Sequence, residues 1–278
     1  MAWELHRRDA SLLDVRLFRE GGLASGSITL LVVFGVQAGI AVVLFPFFQA
    51  VLGWSGLLST VAMMPMAVMM MTTSGLALKT AAKVGARSTM TVGVALATLG
   101  LVLMALFVSV DGGYLSILPG MLALGIGMGL SMTPSTEAIT SSLPGAKQGV
   151  ASALNDVTRE FGTALGVAML GALLANGYRS AIDAKLDTIP TDAADTAREG
   201  IANAIEVAPT TGTHAQDLIH AARQSFVDGW QQSMWVGAAV MGALLLYVAL
   251  GGPKNTAPLQ PDAETAPETG VADNIAAR

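Results

Sequence analysis

The longest uncharged stretch of this chain constrains its fold most strongly. From Gly21 to Leu78 the sequence contains no Asp, Glu, Lys, Arg or His. The hydrocarbon core of a bilayer is roughly 30 Å thick, and a helix needs about 20 apolar residues to cross it. The stretch is therefore long enough for two crossings, separated by a break near Gly53 and Gly56. We predict an integral membrane protein.

Composition agrees with this prediction and argues against several other classes of protein. Hydrophobic residues make up 53% of the chain and charged residues 13%, whereas soluble proteins carry roughly 25% charged residues. The net charge is −5 and no extended basic patch is present, which argues against nucleic-acid binding. The chain has no cysteine, so it offers no disulfide, thiolate metal site or cysteine nucleophile. We expect no metal and no cofactor.

Hydropathy predicts an all-α fold with six membrane-spanning helices, near residues 24–47, 56–78, 88–110, 115–136, 149–175 and 231–251. They form a predicted membrane domain over 24–251, between an amphipathic cytoplasmic leader over 1–23 and a disordered cytoplasmic tail over 252–278. Lys79, Lys83 and Arg87 follow the second span without an acidic residue. Because basic residues of short loops stay in the cytoplasm, we expect both termini to be cytoplasmic.

The same topology places a long loop, residues 178–230, outside the cell. Two parts of this loop have apolar residues at helical spacing, which predicts two short amphipathic surface helices. The first part contains Ala194, Ala197, Ile201, Ala204 and Ile205, and the second contains Leu218, Ile219, Ala222 and Phe226. Trp54, Trp230 and Trp235 lie at predicted span ends, so we expect them in the aromatic belt of the membrane interface.

Small residues in the spans predict close helix packing. Three GxxxG pairs stand out, namely Gly35 with Gly39, Gly125 with Gly129, and Gly162 with Gly166. Glycine lets helix backbones approach closely in lipid, where hydrophobic exclusion from water does not drive helices together. We therefore expect a packed bundle.

The fifth span holds the one cluster of ionisable residues within a predicted span. Asn155, Asp156, Arg159 and Glu160 lie about 15 Å or less into a helix that begins near Gly149. Charged groups inside a membrane are costly and mark functional sites. The spacing predicts that Asn155, Asp156 and Arg159 share one face. Two interpretations stay open: a permanent ion pair that positions the helix, or an acid that exchanges a proton as a cavity opens.

Uncharged residues add further cavity candidates, each with a structural alternative. Gln37 lies in the middle of the first span and Gln49 near its end, and either can simply bond to a neighbouring helix. The second span is rich in methionine, including Met63, Met66 and Met70. Flexible thioethers suit varied apolar ligands, and they also fill irregular gaps in packing.

Other functional classes lack the residues that they need. An intramembrane hydrolase requires a nucleophile beside a base, whereas His6, His214 and His220 all lie outside the predicted spans. A channel requires a selectivity filter or charged ring, and none is recognisable. We therefore do not expect an enzyme.

The segment from Leu124 to Leu174 carries a family resemblance. Its sequence reads LGIGMGLSMTPSTEAITSSLPGAKQGVASALNDVTREFGTALGVAMLGALL. The glycine run ending in Pro134, the later Pro144 and Gly149, and the stretch from Asn155 to Gly166 resemble the major facilitator superfamily. The resemblance is to its fourteen-helix drug:proton antiporter branch (EmrB/QacA-like), and it covers roughly Ser11 to Leu250.

The resemblance implies a function and partners. Six helices correspond to the C-terminal half of such a transporter, itself a 3+3 inverted repeat. The implied activity is proton-coupled efflux of small apolar or cationic drug-like substrates across the cell membrane, with an N-terminal half of six to eight helices as partner. The alternative is a truncated or split protein that is inactive without that half. Lys83, Gly85 and Arg87 resemble the second copy of the family's cytoplasmic loop motif, although its usual acid is replaced by Ala82.

Overall fold

The computed structural model describes residues 21–141 and 148–251, and these ranges contain helices joined by short turns. The α-helices are α1 (Gly21–Pro46), α2 (Gly56–Val84), α3 (Ala86–Phe107), α4 (Gly113–Thr140), α5 (Gln148–Asp183), α6 (Thr191–Glu199), α7 (Ile201–Val207) and α8 (Ala215–Gly251). A π-helical turn, Phe47–Val51, extends α1, and a 3-10 helix, Ala208–His214, precedes α8. The predicted tail, the leader up to residue 20 and Pro144 lie outside the described residues.

Six of these helices, α1 to α5 and α8, are long and apolar enough to cross a membrane. The prediction of an all-α membrane protein with six spans is therefore confirmed. Two helices extend well beyond their predicted spans: α5 continues to Asp183, and α8 begins at Ala215 rather than near residue 231.

A one-residue turn joins α2 to α3. Gly85 occupies it with φ +90°, a backbone conformation that residues with a Cβ atom rarely adopt. Lys83 lies in the last turn of α2, and Arg87, in the first turn of α3, donates to the carbonyl of Ala249 near the end of α8. The predicted basic loop is thus a tight corner attached to the last helix. We call this end of the bundle the turn end.

Two glycine contacts repeat the same relation between helices. On α1, a methyl group placed on Gly35 would lie 2.9 Å from the carbonyl oxygen of Gly162 on α5. On α4, a methyl group on Gly129 would lie 2.5 Å from the carbonyl oxygen of Met70 on α2. The first helix of each three-helix set thus approaches the second helix of the other set through glycine. This relation fits the predicted 3+3 arrangement.

The connection between α5 and α8, residues 184–214, forms a compact cap that contains α6 and α7. The Tyr178 hydroxyl donates to the Ala197 carbonyl at 2.8 Å, and Arg198 pairs with Asp183 at 2.6 Å. The hydrogen bond to Asp183 raises the pKa of the Arg198 guanidinium. At the start of the connection, Lys185 pairs with Asp228 of α8 at 3.2 Å. These contacts attach the cap to the ends of α5 and α8, and we call this end of the bundle the cap end.

The predicted boundaries of the two surface helices are wrong. The first set of apolar residues is divided between α6 and α7, because the chain is extended at Gly200. The second set, which includes Leu218 and Phe226, belongs to α8 and is continuous with the last span. Its apolar side is buried by packing on the rest of the protein rather than lying flat on a surface.

Aromatic residues at the cap end form a cluster, and the prediction that Trp230 lies in the aromatic belt is wrong. Trp230 is 0% exposed, packs against Phe47 with ring centroids 5.2 Å apart, and donates from Nε1 to the carbonyl of Met104. Trp54 stacks on Phe48 at 5.8 Å. Trp235 is the tryptophan of this end that stays largely exposed. Burial of Trp230 follows from the early start of α8, which carries this residue into the bundle.

Candidate functional site

The residues of the polar cluster on α5 differ in their exposure. Asn155 and Thr158 are each only 8% exposed and lie on the side of Gly162, which packs on α1. Asp156, Arg159 and Glu160 are exposed. The spacing predicts that Asn155, Asp156 and Arg159 share one face, and the structure adds a difference in exposure between Asn155 and the two charged residues. The four-residue spacing brings Asn155 and Arg159 near the same edge of the helix, but the close approach of α1 covers Asn155 alone.

Arg159 contacts an aromatic ring on α1. Its guanidinium carbon lies 4.4 Å from the centroid of the Phe34 ring, within the distance at which a cation is attracted to a ring face. Within the described ranges, Arg159 forms no ion pair with Asp156 or Glu160. The permanent ion pair that the sequence left open is not formed. Both carboxylates therefore lack a basic partner in this part of the chain.

The contact between Arg159 and Phe34 lies near the middle of the bundle. Gly35 is close to the midpoint of the continuous helix from Gly21 to Val51, and it faces Gly162. Arg159 precedes Gly162 by three residues, which is about 4.5 Å along a helix axis. Arg159 and Glu160 thus lie near half height in the bundle, the depth that the sequence predicts for them.

Gln37 and Met70, two of the predicted cavity residues, come together across two helices. The Gln37 side-chain nitrogen donates to the Met70 thioether sulfur at 3.6 Å. Phe34 and Gln37 are three residues apart on α1, so they share a face that touches α5 through Phe34 and α2 through Gln37. We define this surface as the open face: Phe34 and Gln37 of α1 with the exposed sides of α2 and α5.

The other cavity candidates divide between this surface and the packed interior. Met63 is half-buried on α2, while Met66 is buried and its backbone carbonyl packs on Gly125 of α4. Gln49 is exposed within the π-helical turn at the cap end. It lies about 18 Å along the helix axis from Gln37, so it does not belong to the same cluster.

Sequence reasoning missed Phe34. An aromatic residue within a strongly apolar span carries no signal of its own. Its position three residues before Gln37 is the one feature that pointed to a shared face. The partner, Arg159, is 125 positions away in sequence, and only the packing of α1 on α5 shows that the two residues meet.

Large apolar side chains cover the rest of the open face. On α5 they are exposed at Val157, Phe161 and Leu165, and on α2 at Val61, Met64, Val68 and Met71. The side of α5 that carries Gly162 and Gly166 packs closely on α1, and the side of α2 that carries Met66 and Met70 packs closely on Gly125 and Gly129 of α4. The opposite sides of α5 and α2 remain uncovered. A wide apolar surface with a few polar groups at half height results.

Comparison with known proteins places the chain in a family. The family model described as Major Facilitator Superfamily matches residues 2–167, which is more than half of the sequence. The chain belongs to the Major Facilitator Superfamily. The resemblance read from the segment between Leu124 and Leu174 is thereby confirmed at the level of the superfamily.

Several superfamily relatives have names that describe drug efflux or resistance. The multidrug efflux pump LfrA of Mycolicibacterium smegmatis is 31% identical over 247 residues, which are 88% of this chain and 47% of that protein. The tetracenomycin C resistance and export protein of Streptomyces glaucescens is 29% identical over 263 residues, 91% of this chain and 48% of that protein. The multidrug resistance protein Stp of Mycobacterium tuberculosis is 24% identical over 255 residues, 88% of this chain and 47% of that protein. The chain spans about half the length of the curated relatives it matches.

Proposed function

We propose that this chain is the C-terminal half of a proton-coupled multidrug exporter of the fourteen-helix, EmrB/QacA-like branch. The observation that carries the proposal is the position of Asp156, Arg159 and Glu160: they lie exposed, near half height, on an open face that is otherwise apolar. Transporters that work by alternating access bind substrate near the membrane midplane, between two repeats that rock against each other. The protein is then a transporter and not an enzyme.

The open face fits a surface completed by a second set of helices. Polar and ionisable residues in spans turn towards a bundle interior or a water-filled cavity, because lipid does not solvate them. Three charged side chains of α5 would instead face lipid if the six helices stood alone. An N-terminal half of six to eight helices, placed against α2 and α5, encloses these residues in a shared cavity.

Proton coupling is assigned to Asp156 and Glu160. A carboxyl group exchanges a proton when its exposure to water or its distance from a cation changes between two conformations. Both carboxylates lack a basic partner among the described residues, and Arg159 lies three residues after Asp156 on the same helix. Rocking of the two halves changes both the access of water and the position of Arg159.

Cavity residues of the exporter include Gln37 and Met70, together with Met63, which lies seven residues before Met70 on α2. The hydrogen bond between Gln37 and Met70 is to a weak acceptor, so it gives way readily to a better one. Flexible thioethers pack on ligands of different shapes. We therefore assign small apolar or cationic drug-like molecules as substrates.

Orientation in the cell membrane follows from the charges at the two ends of the bundle. The turn end carries Lys79, Lys83 and Arg87, and we place it in the cytoplasm together with both termini. The cap then lies outside. Gly85 keeps its assignment to the cytoplasmic corner, where the attachment of Arg87 to α8 holds the turn in place.

The alternative proposal keeps the fold and drops the independent activity: the chain is inert unless an N-terminal half is supplied. Resistance assays separate the two. We would express the chain alone, and fused behind the N-terminal half of the M. smegmatis relative, in a strain sensitive to ethidium. Resistance with the chain alone supports independent activity, resistance with the fusion alone supports the alternative, and either result supports the exporter proposal. Resistance with neither, despite equal amounts of protein in the membrane, would contradict it.

A further inference from the structure

The ring of Phe34 has one side packed in the bundle and one side in contact with a cation. Phe34 is half-buried and packs on a cluster of buried apolar residues that includes Leu30 and Ile139. The guanidinium of Arg159 lies over its ring, 4.4 Å from the centroid. The ring face of Phe34, which has a negative electrostatic potential, is thus part of the open face, and the guanidinium of Arg159 covers it.

Arg159 is held in place weakly. Its side chain is exposed, it forms no ion pair within the described part of the chain, and the contact with Phe34 is the one interaction of its guanidinium seen there. A cation over a ring at an exposed site is stabilised only weakly, because water screens the attraction. Asp156 lies three residues earlier on the same helix, a spacing at which arginine reaches a carboxylate. A displaced guanidinium therefore has a second partner close by.

We propose that the face of Phe34 is a binding subsite for the cationic group of a substrate, and that Arg159 occupies it when no substrate is bound. This inference rests on the proposed function, because it names the chemical class of ligand that the open face selects. An organic cation displaces the guanidinium from the ring, and Arg159 turns towards Asp156. Gln37 and Met70, one turn further along α1 and beside it on α2, contact the apolar body of the ligand.

The competition predicts opposite effects of two substitutions. Arg159→Gln frees the ring and also removes a like charge, so binding of an organic cation becomes tighter. Phe34→Leu removes the ring, so binding becomes weaker. A cation over an aromatic ring contributes about 0.5–2 kcal/mol, so each change in dissociation constant is roughly twofold to thirtyfold. If Arg159→Gln tightens binding because it frees the ring, the gain requires Phe34. If it tightens binding only because a positive charge is removed, the gain does not depend on Phe34.

Binding of tetraphenylphosphonium to the full chain in lipid nanodiscs tests the subsite by a double-mutant cycle. Wild type, Arg159→Gln, Phe34→Leu and the double variant are compared, with Phe34→Tyr as a control that keeps the ring. Helical circular dichroism and the elution volume of the nanodiscs show that each variant is folded. We expect tighter binding by Arg159→Gln, weaker binding by Phe34→Leu, and near wild-type binding by Phe34→Tyr. The gain from Arg159→Gln is expected to shrink at least severalfold when Phe34 is Leu, which is the sign of direct coupling between the two positions.

An equal gain in both backgrounds would overturn the proposal, since a charge effect alone would explain it. Absence of saturable binding by Arg159→Gln, in which the ring is free, would overturn it as well. Failure of the export proposal is distinguishable from failure of the subsite. If the fused transporter moves no substrate but the double-mutant cycle gives the expected coupling, the transport function is contradicted and the cation subsite is supported.

Discussion

Gln37 on α1 and Met70 on α2, which are 33 positions apart in sequence, meet at half height in the bundle with an N to S distance of 3.6 Å. The contact joins α1 to α2 on the same face where Phe34 joins α1 to α5. One helix therefore links α2 and α5, the two spans with the smallest share of buried residues. A movement of α2 or α5 in a complete transporter would act directly on the residues that we assign to the substrate.

Cysteine cross-linking tests the Gln37 contact without background, because the chain has no cysteine of its own. We expect the pair Gln37→Cys and Met70→Cys to be joined in high yield by a short thiol-reactive cross-linker in membranes. The matched control replaces Met71, the next residue along α2, which is 71% exposed. Equal yields for the Met70 and Met71 pairs, measured by electrophoresis after proteolysis between the two sites, would show that α1 and α2 do not meet in this way.

Replacement of Gly166 by alanine is expected to destabilise the packing of α1 on α5. The added methyl group would overlap the backbone carbonyl of Gly35, which has no room to move as a flexible side chain would. Overpacking of this kind costs roughly 1–3 kcal/mol. Gly171 is the control on the same helix, because a methyl group there would meet no described atom within 4 Å. Thermal unfolding in detergent should show a lower midpoint for Gly166→Ala than for Gly171→Ala.

The sequence predicts the helices better than it predicts their contacts. Six spans follow from apolar runs long enough to cross a bilayer, a property of each run alone. The GxxxG pairs predict close approach but do not name the partner helix, since Gly35 looks the same whether it faces α4 or α5. Packing of Gly35 on Gly162 then decides that Asn155 is buried and Arg159 is not.

Where the sequence failed, neighbouring elements decided the structure. Tryptophan at the end of a span is typical of a membrane interface. Trp230 is nevertheless buried, because α8 starts sixteen residues before the predicted span and Trp230 packs on Phe47. Arg159 has an acid at the right spacing for an ion pair, yet its guanidinium lies on Phe34, which belongs to another helix. A single helix examined alone offers no information about such partners.

Neutralising either carboxylate of α5 is expected to abolish proton-driven efflux by the fused transporter. Asp156→Asn and Glu160→Gln keep the size of each side chain and remove its ability to exchange a proton. Glu137→Gln is the control, because Glu137 lies on α4 one turn from its end at the turn end, away from half height. Ethidium efflux measured by fluorescence would contradict the assignment if the two α5 variants matched the control.

Labelling of single cysteines tests the orientation in the membrane. Ala82, near the end of α2, and Ala202, in the cap, are both exposed. A maleimide that does not cross membranes should label Ala202→Cys in intact cells and should label Ala82→Cys only after the cells are opened. The reverse pattern would place the turn end outside and overturn the cytoplasmic assignment of the termini.

The central claim is that this chain supplies one side of a cavity that exchanges protons for organic cations. Everted membrane vesicles containing the fusion with an N-terminal half, acidified inside by respiration, test it most directly. We predict uptake of ethidium that stops when an uncoupler collapses the pH gradient and that is absent with Asp156→Asn. Uptake that continues without the gradient, or that is unchanged by Asp156→Asn together with Glu160→Gln, would contradict proton-coupled export through this face.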